Sequence, residues 1–134
     1  MSTTDNLWGE IPSQQEVRAP IVILREQASK LGELTNMSLV GNVQITRDYA
    51  SISMILRIIV PSLDNYEYDV LKATHEALSY PVKVYDFNDT LATAKSWEPI
   101  KCENEVEFIK VVKGILTSET THKVIASLLA QTKI

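Results

Sequence analysis

Pro61-Ser62-Leu63-Asp64-Asn65-Tyr66-Glu67-Tyr68-Asp69-Val70-Leu71 is the stretch whose reading decides the fold of this 134-residue chain. Pro61 closes an apolar strand, and the residues after it form either a helix or a further strand. As a helix, Asp64 accepts from the first free N–H groups, and Glu67 three positions later completes a pairing of the capping-box kind. Tyr68, Leu71, His75 and Leu78 then share one face. As a strand, Tyr66, Tyr68 and Val70 alternate instead. Ala73, Glu76 and Ala77 favour the helix, so the expectation is a strand-to-helix corner at Pro61 with a central helix beyond it. Corners of this kind hold polar groups on a rigid scaffold, which is where α/β proteins place ligands.

Working back from the corner, Ile52, Met54, Leu56, Ile58 and Val60 form one face of a strand, and Ile55 and Ile59 make the other half apolar. That pattern belongs to an inner strand. Leu39, Val43 and Ile45 alternate before it, which predicts an antiparallel hairpin of 38–47 with 50–60, with Gly41 at a bulge or a close approach. Pro20 suits the first turn of a helix, and Ile21, Leu24, Ala28 and Leu31 come after it at helical spacing. Residues 1–19 read as a polar tail in which Trp8 and Ile11 are isolated apolar points. Trp8 is expected to dock on the domain or on a neighbouring subunit.

Beyond the corner, Pro81 to Phe87 reads as a third strand, Asn88 to Ser96 as loop, and Trp97 to Lys101 as a short edge strand containing Pro99. Asn104 and Glu107 repeat the capping signature ahead of the apolar face Phe108, Ile109, Val112, Ile115 and Leu116. A last helix starts near Ser118 and buries Val124, Ile125, Leu128 and Leu129, and the short link at Leu116-Thr117-Ser118 predicts an αα-hairpin. The fold expected is therefore α/β of the α+β type in a single domain over 20–134. It has a small antiparallel or mixed sheet of three to four strands, an N-terminal helix, a central helix and a C-terminal αα-hairpin.

Composition narrows the function classes. With 45% hydrophobic and 22% charged residues the chain is an ordinary folded domain. A single cysteine cannot form an internal disulfide, and the first twenty residues lack the basic start and apolar run of a secretion leader. The apolar run Ile52 to Val60 is far short of the ~20 residues a membrane span needs. A cytoplasmic home is the simplest reading. A net charge of −4 argues against strong nucleic-acid binding, which draws on phosphate neutralisation.

The familiar catalytic templates fail one by one. His75 and His122 have no second histidine three or four residues away, so the H-E-x-x-H zinc pattern is missing. Asp64, Glu67 and Asp69 are the densest acidic group, yet no lysine in the chain follows an acid by two positions, as a D/E-x-K nuclease requires. Cys102 has no neighbours that would activate its thiol. The glycines are too scattered for a phosphate loop, and there is no G-x-S-x-G elbow. Tyr66, Tyr68 and Tyr80 combine large contact area with a polar tip, which suits core edges and interfaces equally. Lys95, Lys101, Lys110, Lys113 and Lys123 alternate with acids and read as a solvated face.

Three segments resemble parts of small uncharacterised bacterial proteins: Pro20-Ile21-Val22-Ile23-Leu24-Arg25-Glu26-Gln27-Ala28, Pro61-Ser62-Leu63-Asp64-Asn65-Tyr66-Glu67-Tyr68, and Tyr80-Pro81-Val82. The resemblance implies a bacterial cytoplasmic protein and carries no activity with it. The sequence thus points to a non-catalytic protein-interaction or oligomerisation domain, an immunity or antitoxin-like inhibitor being one concrete form. The alternative is a small-molecule-binding protein or hydrolase at the 61–75 corner. Asp64, Asn65, Tyr66, His75 and Trp8 are the candidate binding residues. No catalytic residue, cofactor or metal is expected, and the partner is another protein or a second copy, with a small molecule as the other class.

Overall fold

The computed structural model describes residues 6–13, 17–88 and 98–133. The expected loop over 89–96, Trp97 and Lys95, and the tail residues 1–5 and 14–16, lie outside these. The elements run α1 (Pro20–Leu34), β1 (Val40–Asp48), β2 (Ser51–Val60), a 3-10 turn (Pro61–Leu63), β3 (Tyr66–His75), β4 (Val82–Asp86), β5 (Ile100–Cys102), α2 (Glu105–Leu116) and α3 (Glu119–Gln131). The chain is α+β, with a helix before and a helical pair after one antiparallel sheet of order β1-β2-β3-β4-β5. The hairpin over 38–60 and the N-terminal helix with Pro20 in its first turn stand as expected.

The central helix does not form. Residues Tyr66–His75 are the middle strand, so among the described residues the sheet has five strands where three or four were expected, and none of these pairs in parallel. Asp64 and Glu67 do not cap a helix. Asp64 and Asn65 instead take left-handed backbone, at φ 57 and φ 59, the conformation required at both centres of a tight hairpin turn. Asp and Asn tolerate it better than other side-chain-bearing residues. The later elements also shift slightly: the edge strand is Ile100–Cys102, with Pro99 ahead of it, and Pro81 precedes β4 instead of opening it.

The register between β2 and β3 explains how a strand came to look helical. Leu56 pairs with Leu71 and Arg57 with Asp69, leaving Val70 as the extra residue of a β-bulge. Tyr66 and Tyr68 lie opposite Val60 and Ile58, while Leu71 and Ala73 lie opposite Leu56 and Met54, so all share the core face although their parity changes at the bulge. The step from Tyr68 to Leu71 is three residues, as on a helix. Tertiary pairing wins over the helix propensity of Ala73 and Glu76 because β3 is held on both sides.

The helices pack on this same face around one core that joins Leu24 and Ala28 of α1, Met54, Leu56 and Val60 of β2, Leu71, Val82 and Val84 of the sheet, and Phe108 and Val112 of α2. Each large side chain so buried contributes roughly 1.5–3 kcal/mol. Gly41 is the point of closest approach: a Cβ there would stand 2.4 Å from Ala28 Cα. Asn104 and Ser118 cap α2 and α3, accepting from the backbone N–H groups of Glu107 and Thr121. On the other face of the sheet Arg57 donates from Nε to Asp69 Oδ1 at 2.8 Å and from Nη1 to Gln44 Oε1 at 2.5 Å, with Glu67 at 3.5 Å. Among the described residues no helix is long and apolar enough to cross a membrane.

Candidate functional site

Two features stand out once the core is accounted for: an apolar turn in the N-terminal stretch, and a groove beside the 61–68 corner. In the first, Asn6 donates from Nδ2 to the carbonyl of Gly9 at 2.9 Å and accepts at Oδ1 from the Trp8 N–H at 2.9 Å. Gly9 closes the turn at φ 67, a conformation glycine adopts without strain. Leu7 and Trp8 at the tip are 93% and 83% exposed, so two large apolar side chains stand in solvent on a hydrogen-bonded turn. Ile11 and Val17 are exposed as well.

The stretch joins the domain at Arg18. Its backbone N–H donates to Glu105 Oε1 at 2.9 Å, its guanidinium pairs with Glu26 at 2.6 Å and Glu105 at 3.4 Å, and its carbonyl accepts from the Tyr80 hydroxyl at 2.9 Å. Burial, and next Glu105, push the Tyr80 phenol up to about 12. The Tyr80 ring meets Phe108 edge-on at 6.3 Å, which ties this anchor to the core.

The groove is about 620 Å³ in volume and lies between the start of β3 and one face of α3. Leu63, Tyr66 and Tyr68 form one wall, and Val124 and Leu128 the other, with Lys123, Ser127 and Gln131 along the rim. A chain of hydrogen bonds fixes its inner end: the Tyr68 hydroxyl donates to Asn88 Oδ1, Asn88 Nδ2 donates to Thr121 Oγ1 at 2.5 Å, and Thr121 Oγ1 donates to the carbonyl of Ile115 at 2.7 Å. Burial, then Asp86 and Tyr66, raise the Tyr68 phenol above its ordinary value. The side chains facing the groove offer apolar walls, two aromatic rings and hydrogen-bonding tips, the chemistry of a binding surface for an apolar or aromatic group.

The residues singled out from sequence fall into three places. Asp64, Asn65 and Tyr66 sit together at the corner, and of these Tyr66 lines the groove. His75 ends the same strand nine residues on from Tyr66, roughly 30 Å away at strand spacing. It lines a different cavity of about 410 Å³ with Thr74, Tyr80 and Lys83, and its Nδ1 lies 2.6 Å from the Glu76 carbonyl. Trp8 is the third place. Nothing in the sequence pattern marks Leu7, Ser127 or Gln131, and Lys123 reads there only as part of a solvated face, although Tyr66 and Tyr68 two residues apart already place both rings on one strand face.

Cys102 is fully buried in the core, and burial, with Glu107 second, raises its thiol above the ordinary value. His122 is exposed on α3. Among the described residues no group of three or more His, Cys, Asp or Glu side chains is placed to hold a metal ion. No family model, no curated protein and no solved structure matches the chain.

Proposed function

We propose that this chain is a non-catalytic protein-interaction domain of the bacterial cytoplasm, which works by self-association or by seating on another protein through its N-terminal turn. The observation that carries the reading is the exposure of Leu7 and Trp8 on a turn whose backbone is already hydrogen-bonded. A flexible tail gains nothing by holding two apolar side chains in water, whereas a pre-formed turn lowers the ordering cost of binding. Tryptophan is also the side chain most enriched among interface residues that dominate binding energy. An inhibitor of the immunity or antitoxin kind is one form such a domain takes.

The alternative, a small-molecule binder or hydrolase built from Asp64, Asn65, Tyr66 and His75, asks Tyr66 and His75 to serve one ligand from opposite ends of β3. That separation favours the interaction reading. Light scattering behind size exclusion, together with affinity capture from the native host, tests it by comparing the natural chain with the Leu7→Ser/Trp8→Ser double variant. The expected result is a mass above the 15.0 kDa of one chain, or a captured partner, that the double variant loses. A monomer whose captured proteins are unchanged in the variant would overturn the reading.

A further inference from the structure

We infer that the partner of the Leu7–Trp8 turn is a second copy of this chain, and that the turn seats in the groove between β3 and α3, each copy giving its turn to the other. The inference rests on the interaction reading above and names its partner and surface.

The position of the anchor argues for another copy in place of the chain's own groove. Arg18 is held by Tyr80 and Glu105, where β4 begins and β5 gives way to α2. The groove lies beside Tyr66 at the start of β3, and Thr74 near the end of β3 pairs with Lys83 near the start of β4. Anchor and groove are therefore at opposite ends of a ten-residue strand, roughly 30 Å apart. Trp8 precedes Arg18 by ten residues, which reach at most about 36 Å when fully extended. Only a nearly straight tail would close on its own groove, and the turn at Asn6 to Gly9, which folds back the far end of that span, works against one. A neighbouring copy turned end for end meets no such limit.

The area argues for exchange in both directions. A tryptophan buries about 150–250 Å², so with Leu7 beside it one turn removes roughly 300 Å² from water, and the concave groove that receives it less than half as much. One such contact totals about 400 Å², well inside the size of a casual crystal contact, while two related by a twofold axis reach about 800–900 Å², the scale of a weak, concentration-dependent dimer. A twofold exchange also closes on itself as a dimer, whereas a one-way contact would build a larger ring or an open filament. The chemistry of the two surfaces agrees. The groove presents Leu63, Tyr66, Tyr68, Val124 and Leu128 to an indole and an isobutyl group. Glu10 comes just after the turn, and Lys123 stands on the groove rim, where its present partner Glu119 is a highly exposed neighbour on the same helix.

Sedimentation equilibrium of the full-length chain is expected to give a dimer. Trp8→Ala, on an exposed turn, and Ser127→Arg, on the exposed rim of the groove, leave the fold intact by circular dichroism. Each is expected to weaken the dimer by about 30-fold or more. An equimolar mixture of the two variants regains one good contact per pair and should associate more tightly than either alone. A labelled peptide of residues 4–13 should bind the Trp8→Ala chain and fail to bind the Trp8→Ala/Ser127→Arg chain. A dimer unmoved by Trp8→Ala overturns the exchange while the interaction reading stands. So does a monomer that captures another protein through Trp8. A monomer with no Trp8-dependent partner overturns both.

Discussion

A side chain at position 41 has no room. The Cβ of an alanine there would stand 2.4 Å from both the Cα and the carbonyl oxygen of Ala28, and because these are backbone atoms of α1 the whole helix has to lift. Gly41→Ala is expected to destabilise the chain by about 1–3 kcal/mol, read as a lower midpoint in urea with unchanged slope. Tyr80 sets a second test, through pH. An unfolded tyrosine ionises near 10.0, and folded Tyr80 near 12, because burial and Glu105 disfavour its phenolate. Between those values the unfolded chain has lost a proton that the folded chain keeps, so stability falls as pH rises. Its contribution is complete below pH 10 and is lost as pH climbs through 12. Tyr80→Phe removes the hydroxyl bond to Arg18, about 1 kcal/mol at neutral pH, and should decline less steeply over that window. Parallel stability curves for the two proteins would contradict the assignment.

At the scale of elements, Asn104 caps α2 by accepting from the Glu107 N–H at 2.9 Å, while Glu107 reaches back to the Glu103 N–H at 2.7 Å. Asn104→Ala is expected to cost about 1 kcal/mol in thermal or urea unfolding, and Asn104→Asp close to nothing. This cap was legible in the sequence because both halves of it lie within four residues. The same pattern at Asp64 and Glu67 misled, since a cap and a tight turn draw on the same short polar side chains. The difference between them lies in the Asp64-Asn65 pair, two adjacent residues that tolerate left-handed backbone, which fits a hairpin turn better than a helix start. The bulge at Val70 hid the rest, because a strand that changes parity shows no unbroken period of two and mimics a helical step. The β1–β2 hairpin was readable because its register runs from Val40 to Asp48 without a shift.

At the scale of the molecule, sequence pattern singles out Trp8 and Tyr66 as candidates but does not relate them, since one lies in the tail and the other faces α3 across the groove. That relation depends on how α3 lies over the start of β3, which no local period encodes. The exchange of turns has a thermodynamic consequence separate from mass. A dimer dissociates as it unfolds, so its midpoint temperature rises with protein concentration, whereas that of a monomer does not. The natural chain should show this rise. The Leu7→Ser/Trp8→Ser variant should show none, and at high dilution its midpoint should match that of the natural chain, because Leu7 and Trp8 are 93% and 83% exposed and make no contribution to the core of one copy. If the variant instead melts lower at every concentration, the turn supports its own domain, and the surface at Leu7 and Trp8 is structural.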